Sequence, residues 1–181
     1  MHYPGGLTVR YRWVGSGQGA ALTALSELGG DLADHGALGA SDLEQACRAE
    51  LRAEGPSSVW TARLASTIYD EPRAVLWDVP GLLVVSYGFR TYGFDARTGD
   101  LRWSHRSGTP IVTILASSLL DHVIVQSEVE TFAIDAEGGV VWRLPQGDVV
   151  VGAELIAGQL VLSAYGGERI ALDPVTGRAA S

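Results

Sequence analysis

The sequence has a single cysteine, Cys47, and no lysine among its 13 basic residues. One cysteine excludes an internal disulfide and any metal cage built from several cysteines, and it is typical of a reducing compartment. No stretch approaches the roughly 18 apolar residues that span a bilayer. The first residues also lack the charged-then-apolar plan of a secretory signal. We therefore expect a cytoplasmic protein with no membrane partner.

Positive charge is also scarce. The 181 residues carry 21 acidic groups against 13 basic ones, which gives a formal net charge of -8. Proteins bind nucleic acid by neutralising phosphates with clustered Lys and Arg. This charge balance excludes nucleic acid as an expected partner. Apolar residues make up 46% of the chain, which is enough for the core of one domain.

Three segments of the sequence fall into one register. They are GLLVVSYGFRTYGFDARTGDLRW (81–103), DHVIVQSEVETFAIDAEGGVVW (121–142) and GQLVLSAYGGERIALDPVTGR (158–178). Asp95, Asp135 and Asp173 lie 40 and 38 residues apart, as do Gly99, Gly139 and Gly177. With the strand that precedes it, each unit counts four strands, and the units span about 72–105, 109–144 and 148–178. About forty residues and four strands are the size of one propeller blade.

The aspartates of the repeat have a structural explanation. An Asp carboxylate can accept the backbone N–H groups two and three residues on, and a Gly four residues on can take a positive φ. A calcium loop would need several oxygen ligands at alternate positions, but FDARTGD separates Asp95 from Asp100 by Ala and Arg. We therefore predict structural turns and no metal site. The turn pairs are Asp95 with Gly99, Asp135 with Gly139, and Asp173 with Gly177.

Tryptophans recur beside these turns. Trp103 and Trp142 follow the first two turns, and Trp60 lies in a strand just before the first unit. A large ring at the start of an outer strand can cover the flank of the neighbouring blade. We predict that all three tryptophans pack between blades.

At these residues the sequence resembles the pyrroloquinoline-quinone (PQQ)-like β-propeller repeat, with the approximate motif Ala-x-Asp-x-x-Thr-Gly-x-x-x-Trp. The first unit has Gly in place of Ala, the second has Gly138 in place of Thr and one residue fewer before the Trp, and the third ends before a Trp. The resemblance covers roughly residues 57–178. It implies a mainly β, partial propeller-like array of four-stranded antiparallel blades. The family includes quinoprotein dehydrogenases alongside propellers that bind only proteins.

Three units cannot close a propeller of four to eight blades. Residues 57–64 read as the outer strand of an incomplete preceding blade, and the third unit reaches TGRAAS without an outer strand. Three arrangements stay open. The strand at 7–14 could complete the last blade, the array could stay an open stack, or two chains could join edge to edge.

Residues 1–56 are predicted to form an appendage of one strand and two helices, at 20–30 and 37–55. Ser41 and Glu44 form a capping box for the second helix, and Cys47 lies on its apolar stripe. The glycines of GSGQGA (15–20) match part of a dinucleotide fingerprint, but no second strand with an acidic residue follows. We interpret them as a strand-to-helix turn and expect no cofactor.

No catalytic set is recognisable in the sequence. His2, His35, His105 and His122 are isolated, and we interpret them as surface or turn residues. Aromatic and arginine side chains near the inner strands are better candidates for a binding surface. They are Tyr87, Arg90, Tyr92 and Tyr165, and packing between blades is the alternative for each.

The predicted function is a non-catalytic protein-binding or scaffolding module that binds another protein or itself through blade edges. The alternative is an enzyme or small-ligand receptor that uses the Gly15–Gly19 loop and the N-terminal helices.

Overall fold

The computed structural model describes residues 1–13, 37–38, 47–68 and 70–179. These residues form a mainly β protein with fifteen strands and a three-residue 3₁₀ turn at Pro4–Gly6, and they contain no α-helix. None of the described residues belongs to a helix that is long and apolar enough to cross a membrane.

The first sheet brings together strands that are distant in sequence. Its strands are β1 (Thr8–Trp13), β2 (Ala37–Leu38), β3 (Cys47–Glu54) and β4 (Val59–Ser66). The spatial order is β1-β3-β4-β2, in which only the β2–β4 pairing is parallel. The sheet therefore includes strands from both sides of residue 56, where the sequence suggested a domain boundary.

The second and third sheets are the first two repeat units, and their antiparallel strands follow chain order. The second sheet comprises β5 (Arg73–Trp77), β6 (Leu82–Tyr87), β7 (Arg90–Asp95) and β8 (Leu101–Arg106). The third comprises β9 (Ile111–Leu115), β10 (His122–Ser127), β11 (Glu130–Asp135) and β12 (Val140–Pro145). Both β6 and β10 are buried along their whole length, which explains the apolar runs at 82–85 and 123–125.

The fourth sheet has three strands among the described residues. They are β13 (Val150–Ile156), β14 (Gln159–Ala164) and β15 (Arg169–Leu172). Beyond β15, Leu172 forms an isolated antiparallel bridge with Ala179. The N-terminal strand does not complete this sheet, because β1 pairs with β3 along its full length. The sheet before the first repeat unit has four strands, so the prediction of an incomplete blade at 57–64 is wrong.

The helix predicted at 37–55 is wrong where the structure describes it, because Cys47–Glu54 is strand β3. Its sequence, CRAELRAE, consists largely of good helix formers, but Ala49, Leu51 and Ala53 alternate onto the core with a strand period of two. Pairing with β1 on one side and β4 on the other outweighs the helix propensity.

Several other features predicted for the N-terminal segment lie outside the described residues. They are the helix at 20–30, the cap at Ser41 and Glu44, and the GSGQGA motif at 15–20.

Apolar layers between consecutive sheets form the core. The first layer joins β1, β3 and β4 to inner residues of the second sheet, including Leu83 and Phe94. The second layer joins Leu82 and Val84 to the third sheet, and the third layer joins Ile124 to the fourth. Adjacent residues of β6 thus point into different layers, so each middle strand connects two interfaces.

Two ends of the array follow from this topology. The Asp-containing turns after β7, β11 and β15 lie at one end, which we call the turn end. The hairpins that join β6 to β7, β10 to β11 and β14 to β15 lie at the opposite end, which we call the hairpin end.

Candidate functional site

The carboxylate of Asp95 holds the turn that joins β7 to β8. Its Oδ1 accepts hydrogen bonds from the backbone N–H groups of Arg97 and Thr98, both at 3.0 Å. Gly99 follows with φ +78°, and Oδ2 accepts a 2.9 Å hydrogen bond from Arg102 Nη2. Burial opposes ionisation of Asp95, but the donors from Arg102, Thr98 and Arg97 outweigh it and lower the Asp95 pKa to about 2.

The turn at Asp135 differs from this pattern by one residue. Asp135 Oδ1 accepts the N–H groups of Glu137 at 3.1 Å and of Gly139 at 2.7 Å. The positive φ, +91°, occurs at Gly138 and not at Gly139, where the sequence placed it. The reason is that this repeat has one residue fewer between its aspartate and its tryptophan, so the tight turn closes one position earlier.

The third turn resembles the first. Asp173 Oδ1 accepts the N–H of Val175 at 2.8 Å, Oδ2 accepts the hydroxyl of Thr176 at 2.9 Å, and Gly177 has φ +68°. These donors, with the Val175 N–H contributing most, lower the pKa of Asp173. The three turn carboxylates are therefore each engaged within their own turns.

Each blade-packing tryptophan lies against a positive-φ glycine of the next sheet. The pairs are Trp60 with Gly99, Trp103 with Gly138, and Trp142 with Gly177. A β-carbon on any of these glycines would lie within 2.5 to 2.6 Å of an atom of the tryptophan, closer than real contacts allow. The first pair is reinforced by a 3.0 Å hydrogen bond from Trp60 Nε1 to the carbonyl of Ala96. The turn end thus connects one sheet to the next.

Two of the four candidate binding residues are not on the surface. Tyr87 and Tyr92 are each only 1% exposed and belong to the layer between the first and second sheets. Tyr92 stacks on Phe94 with ring centroids 6.1 Å apart, and burial raises the pKa of Tyr92 to about 12. These tyrosines are not exposed anchors, because both faces of the inner strands are covered by neighbouring sheets.

The other two candidates lie at the hairpin end. Tyr165 is 80% exposed at the tip of the β14–β15 hairpin, and Arg90 is half-buried at the start of β7. They belong to different sheets, so the four candidates do not form one cluster. Tyr165 instead lies near two exposed valines that are not part of any sequence motif.

These residues form an exposed apolar surface, the hairpin-end patch, made of Val129, Val149 and Tyr165. The two valines are each 39% exposed. Backbone hydrogen bonds connect the segments that carry them. Tyr165 N donates to Val149 O at 2.7 Å, and Gln146 N donates to Val129 O at 2.8 Å. Three consecutive valines at 149–151 carry no sequence signal that separates an exposed position from a buried one, so the patch could not be predicted from them.

The segments around the patch are acidic. Residues 126–130, 146–151 and 164–168 contain four carboxylates and no basic side chain. One carboxylate, Glu130, pairs with Arg143 at 3.3 Å. The other three, Glu128, Asp148 and Glu168, have no ion pair with any described residue, and we call them the acidic corner.

At the turn end, an open cleft of about 410 Å³ lies between the second and third sheets. Its lining includes Arg102, which pairs with Asp95, and Glu137. Pro80, Leu82 and Ala136 complete the lining. One paired arginine and one carboxylate do not make a set of catalytic groups.

Among the residues that the structure describes, the histidines and other possible ligands do not cluster. Within residues 1–13, 37–38, 47–68 and 70–179, no group of three or more His, Cys, Asp or Glu could hold a metal ion. His122 is buried and not at the surface as interpreted from the sequence, because its Nε2 lies 2.8 Å from the carbonyl oxygen of Pro174 and so joins the third sheet to the last turn.

Comparison with known proteins gives one family and a set of solved structures. A model of PQQ-like repeats, described as outer membrane protein assembly factor BamB, matches residues 89–180, just over half of the chain. The comparison with curated proteins finds no match. The family match agrees with the repeat resemblance seen in the sequence.

Three solved structures illustrate the fold. BamB from Moraxella catarrhalis is 22% identical with a TM-score of 0.54, and the match covers 73% of this chain and 41% of that one. The Neurospora crassa Pan2 WD40 domain is 19% identical with a TM-score of 0.51 over 73% and 42%. The C-terminal WD40 domain of Sif2 is 11% identical with a TM-score of 0.55 over 72% and 43%. These identities support the propeller-like fold alone, and the matched region spans about two fifths of each of these structures.

Proposed function

We propose that this chain, which belongs to the family of PQQ-like repeat proteins described as outer membrane protein assembly factor BamB, is a non-catalytic protein-binding or scaffolding module. The hairpin-end patch is the observation that carries this proposal. Tyrosine is a frequent interface anchor because it combines a large apolar ring with a polar tip.

The chemistry of the described residues supports binding over catalysis. The turn aspartates, which are the most regular carboxylates of the repeat, are held by backbone N–H groups of their own turns. A carboxylate engaged in this way is poorly placed to act as a general base or as a metal ligand. The tyrosine and valines of the patch, in contrast, are exposed and flanked by acidic side chains, as at the rim of a protein interface.

Self-association is the second element of the proposal. The matched region spans about two fifths of each of these structures, so two chains joined through blade edges would together approach their length. The mass of the protein in solution tests this element directly.

Affinity capture with matched variants tests the protein-binding role. Tyr165→Asp places a charge in the patch, while Val79→Asp does so at an exposed loop of the turn end. We expect proteins that crosslink to the wild type to be lost with Tyr165→Asp and retained with Val79→Asp. Equal capture by all three proteins would refute the role of the patch.

A further inference from the structure

The hairpin end of the second sheet carries charge of the opposite sign to the acidic corner. Arg90 and Arg106 are directly opposite each other on β7 and β8. Like charges in this position repel each other across an antiparallel pair. Neither arginine has an ion pair with any described residue, and Arg106 is exposed. We call these two residues the basic corner.

Asp70, in the connection that precedes β5, contacts the hairpin of the second sheet but is already engaged. Asp70 Oδ2 accepts the backbone N–H of Gly88 at 3.3 Å, and Asp70 Oδ1 pairs with Arg73 at 3.2 Å. Glu71 lies beside it in the chain and is the remaining acid of this connection. Against Arg90, Arg106 and Arg73, these two carboxylates leave the corner with a net positive charge.

Backbone pairing holds the acidic corner together. Val150 N donates to Glu128 O at 2.7 Å, and Val150 is paired with Ala164 across β13 and β14. Ala164 N in turn donates to Glu168 O at 2.9 Å. Backbone contacts and strand pairing thus connect the segments that carry Glu128 and Glu168. Asp148 adjoins it, because its carboxylate accepts the N–H groups of Val149 and Gly166.

The two corners share one end of the array, with the basic corner on the second sheet and the acidic corner on the third and fourth. Glu128 N donates to Pro110 O at 3.1 Å, so the third-sheet hairpin touches the connection that begins just after Arg106. A two-fold axis between the corners would bring the basic corner of each copy over the acidic corner of the other. Such an isologous interface forms both sets of attractive contacts at once.

We propose that the partner of the hairpin-end patch is a second copy of this chain, in a face-to-face two-fold dimer. Arg90 and Arg106 of one protomer face Glu128, Asp148 and Glu168 of the other, and Tyr165 packs in the apolar region between them. This inference rests on the proposed function, since it names the partner of the same surface. Complementary charge determines the orientation, and the patch supplies the apolar contact.

Charge reversal in trans tests the dimer. Arg106→Glu cancels the positive charge of the basic corner, because Arg90 then faces a glutamate. Glu168→Arg partly neutralises the acidic corner of a protomer that keeps both arginines. We expect each variant alone to dissociate with a Kd at least about tenfold above that of the wild type. An equimolar mixture should form heterodimers, because the reversed groups then face each other with opposite sign. Arg97→Glu, at the exposed turn end, is the control and should dimerise like the wild type.

Sedimentation velocity at low and high salt gives the readout, since exposed ionic contacts weaken as ionic strength rises. A wild type that stays monomeric at low salt, or a mixture that shows no more association than either variant alone, would overturn the dimer. The protein-binding role would survive that result if capture of other proteins still depended on Tyr165. Loss of both would reject the two proposals together.

Discussion

A methyl group added to Gly99 should reveal how strongly neighbouring sheets depend on contact between tryptophan and glycine. Gly99 has φ +78°, and a β-carbon there would lie 2.6 Å from ring atoms of Trp60. Gly81, in the same sheet, has φ +67°, but its β-carbon would have no atom within 4 Å. Gly81→Ala therefore measures the backbone cost alone, and Gly99→Ala measures that cost plus the displacement of Trp60.

The two glycine variants should lose different amounts of the free energy of unfolding. A left-handed backbone costs an alanine roughly 1–2 kcal/mol, which is the destabilisation expected for Gly81→Ala. Overpacking a well-filled interface adds roughly 1–3 kcal/mol. Trp60 is only 2% exposed and is held by its hydrogen bond to Ala96, so it cannot move aside freely. We expect Gly99→Ala to be less stable than Gly81→Ala by roughly 1–3 kcal/mol.

Urea unfolding followed by circular dichroism measures both variants, and changes in midpoint at constant slope report stability. A double-mutant cycle completes the test. In a Trp60→Leu background the ring is gone, so Gly99→Ala should cost only about what Gly81→Ala costs. If the two glycine variants differ by less than about 0.5 kcal/mol in the wild-type background, the contact does not stabilise the interface and the reasoning is refuted.

Two further predictions concern the turn and the layer between the third and fourth sheets. The Asp95 pKa is lowered from 3.8 to about 2, so its ionised form contributes stability above pH 3.8 that is lost as the pH falls towards 2. Asp95→Asn should therefore lower the urea midpoint at pH 5 but change it little at pH 2. An equal effect at both pH values would contradict this assignment. Gln126 is fully buried, and its amide bonds the carbonyls of Ser127 and Glu130 and the hydroxyl of Thr131. Gln126→Leu should cost roughly 1–3 kcal/mol in urea unfolding. Ser86→Ala, at the matching register of the second sheet, should cost far less, because the Ser86 hydroxyl has no hydrogen-bond partner among the described residues.

The repeat sheets could be predicted from sequence because two independent periods agree there. Apolar runs such as Leu82–Tyr87 indicate buried strands, and the forty-residue spacing of Asp95 and Asp135 assigns those strands to equivalent units. Strand β3 has no such support, and its Ala, Glu and Arg content favours a helix until its partners β1 and β4 are known. Pairing with β1 and β4 outweighs the helix propensity of the residues in β3.

The binding surface was harder to predict than the strands. Alternation assigns Tyr87 and Tyr92 to a face of their strands but does not show that another sheet covers that face. The basic corner joins Arg90 to Arg106 across a strand pair, and the acidic corner joins Glu128 to Glu168 through Val150 and Ala164. These corners form because hairpins that are distant in sequence lie at the same end of the array. A local sequence pattern does not predict which hairpins lie together.

The two ends of the array differ in what stays constant between repeats. At the turn end, the second repeat unit is one residue shorter, and its positive φ occurs at Gly138. Trp103 therefore contacts Gly138 in the same way that Trp60 contacts Gly99. The contact is kept while the residue position changes, as expected where geometry is the constraint. At the hairpin end the side chains change instead, because the pair of Arg90 and Arg106 in the second sheet corresponds to Glu130 and Pro145 in the third. The packing of the sheets does not require this change of charge, which agrees with the proposed role of the hairpin end in binding a partner.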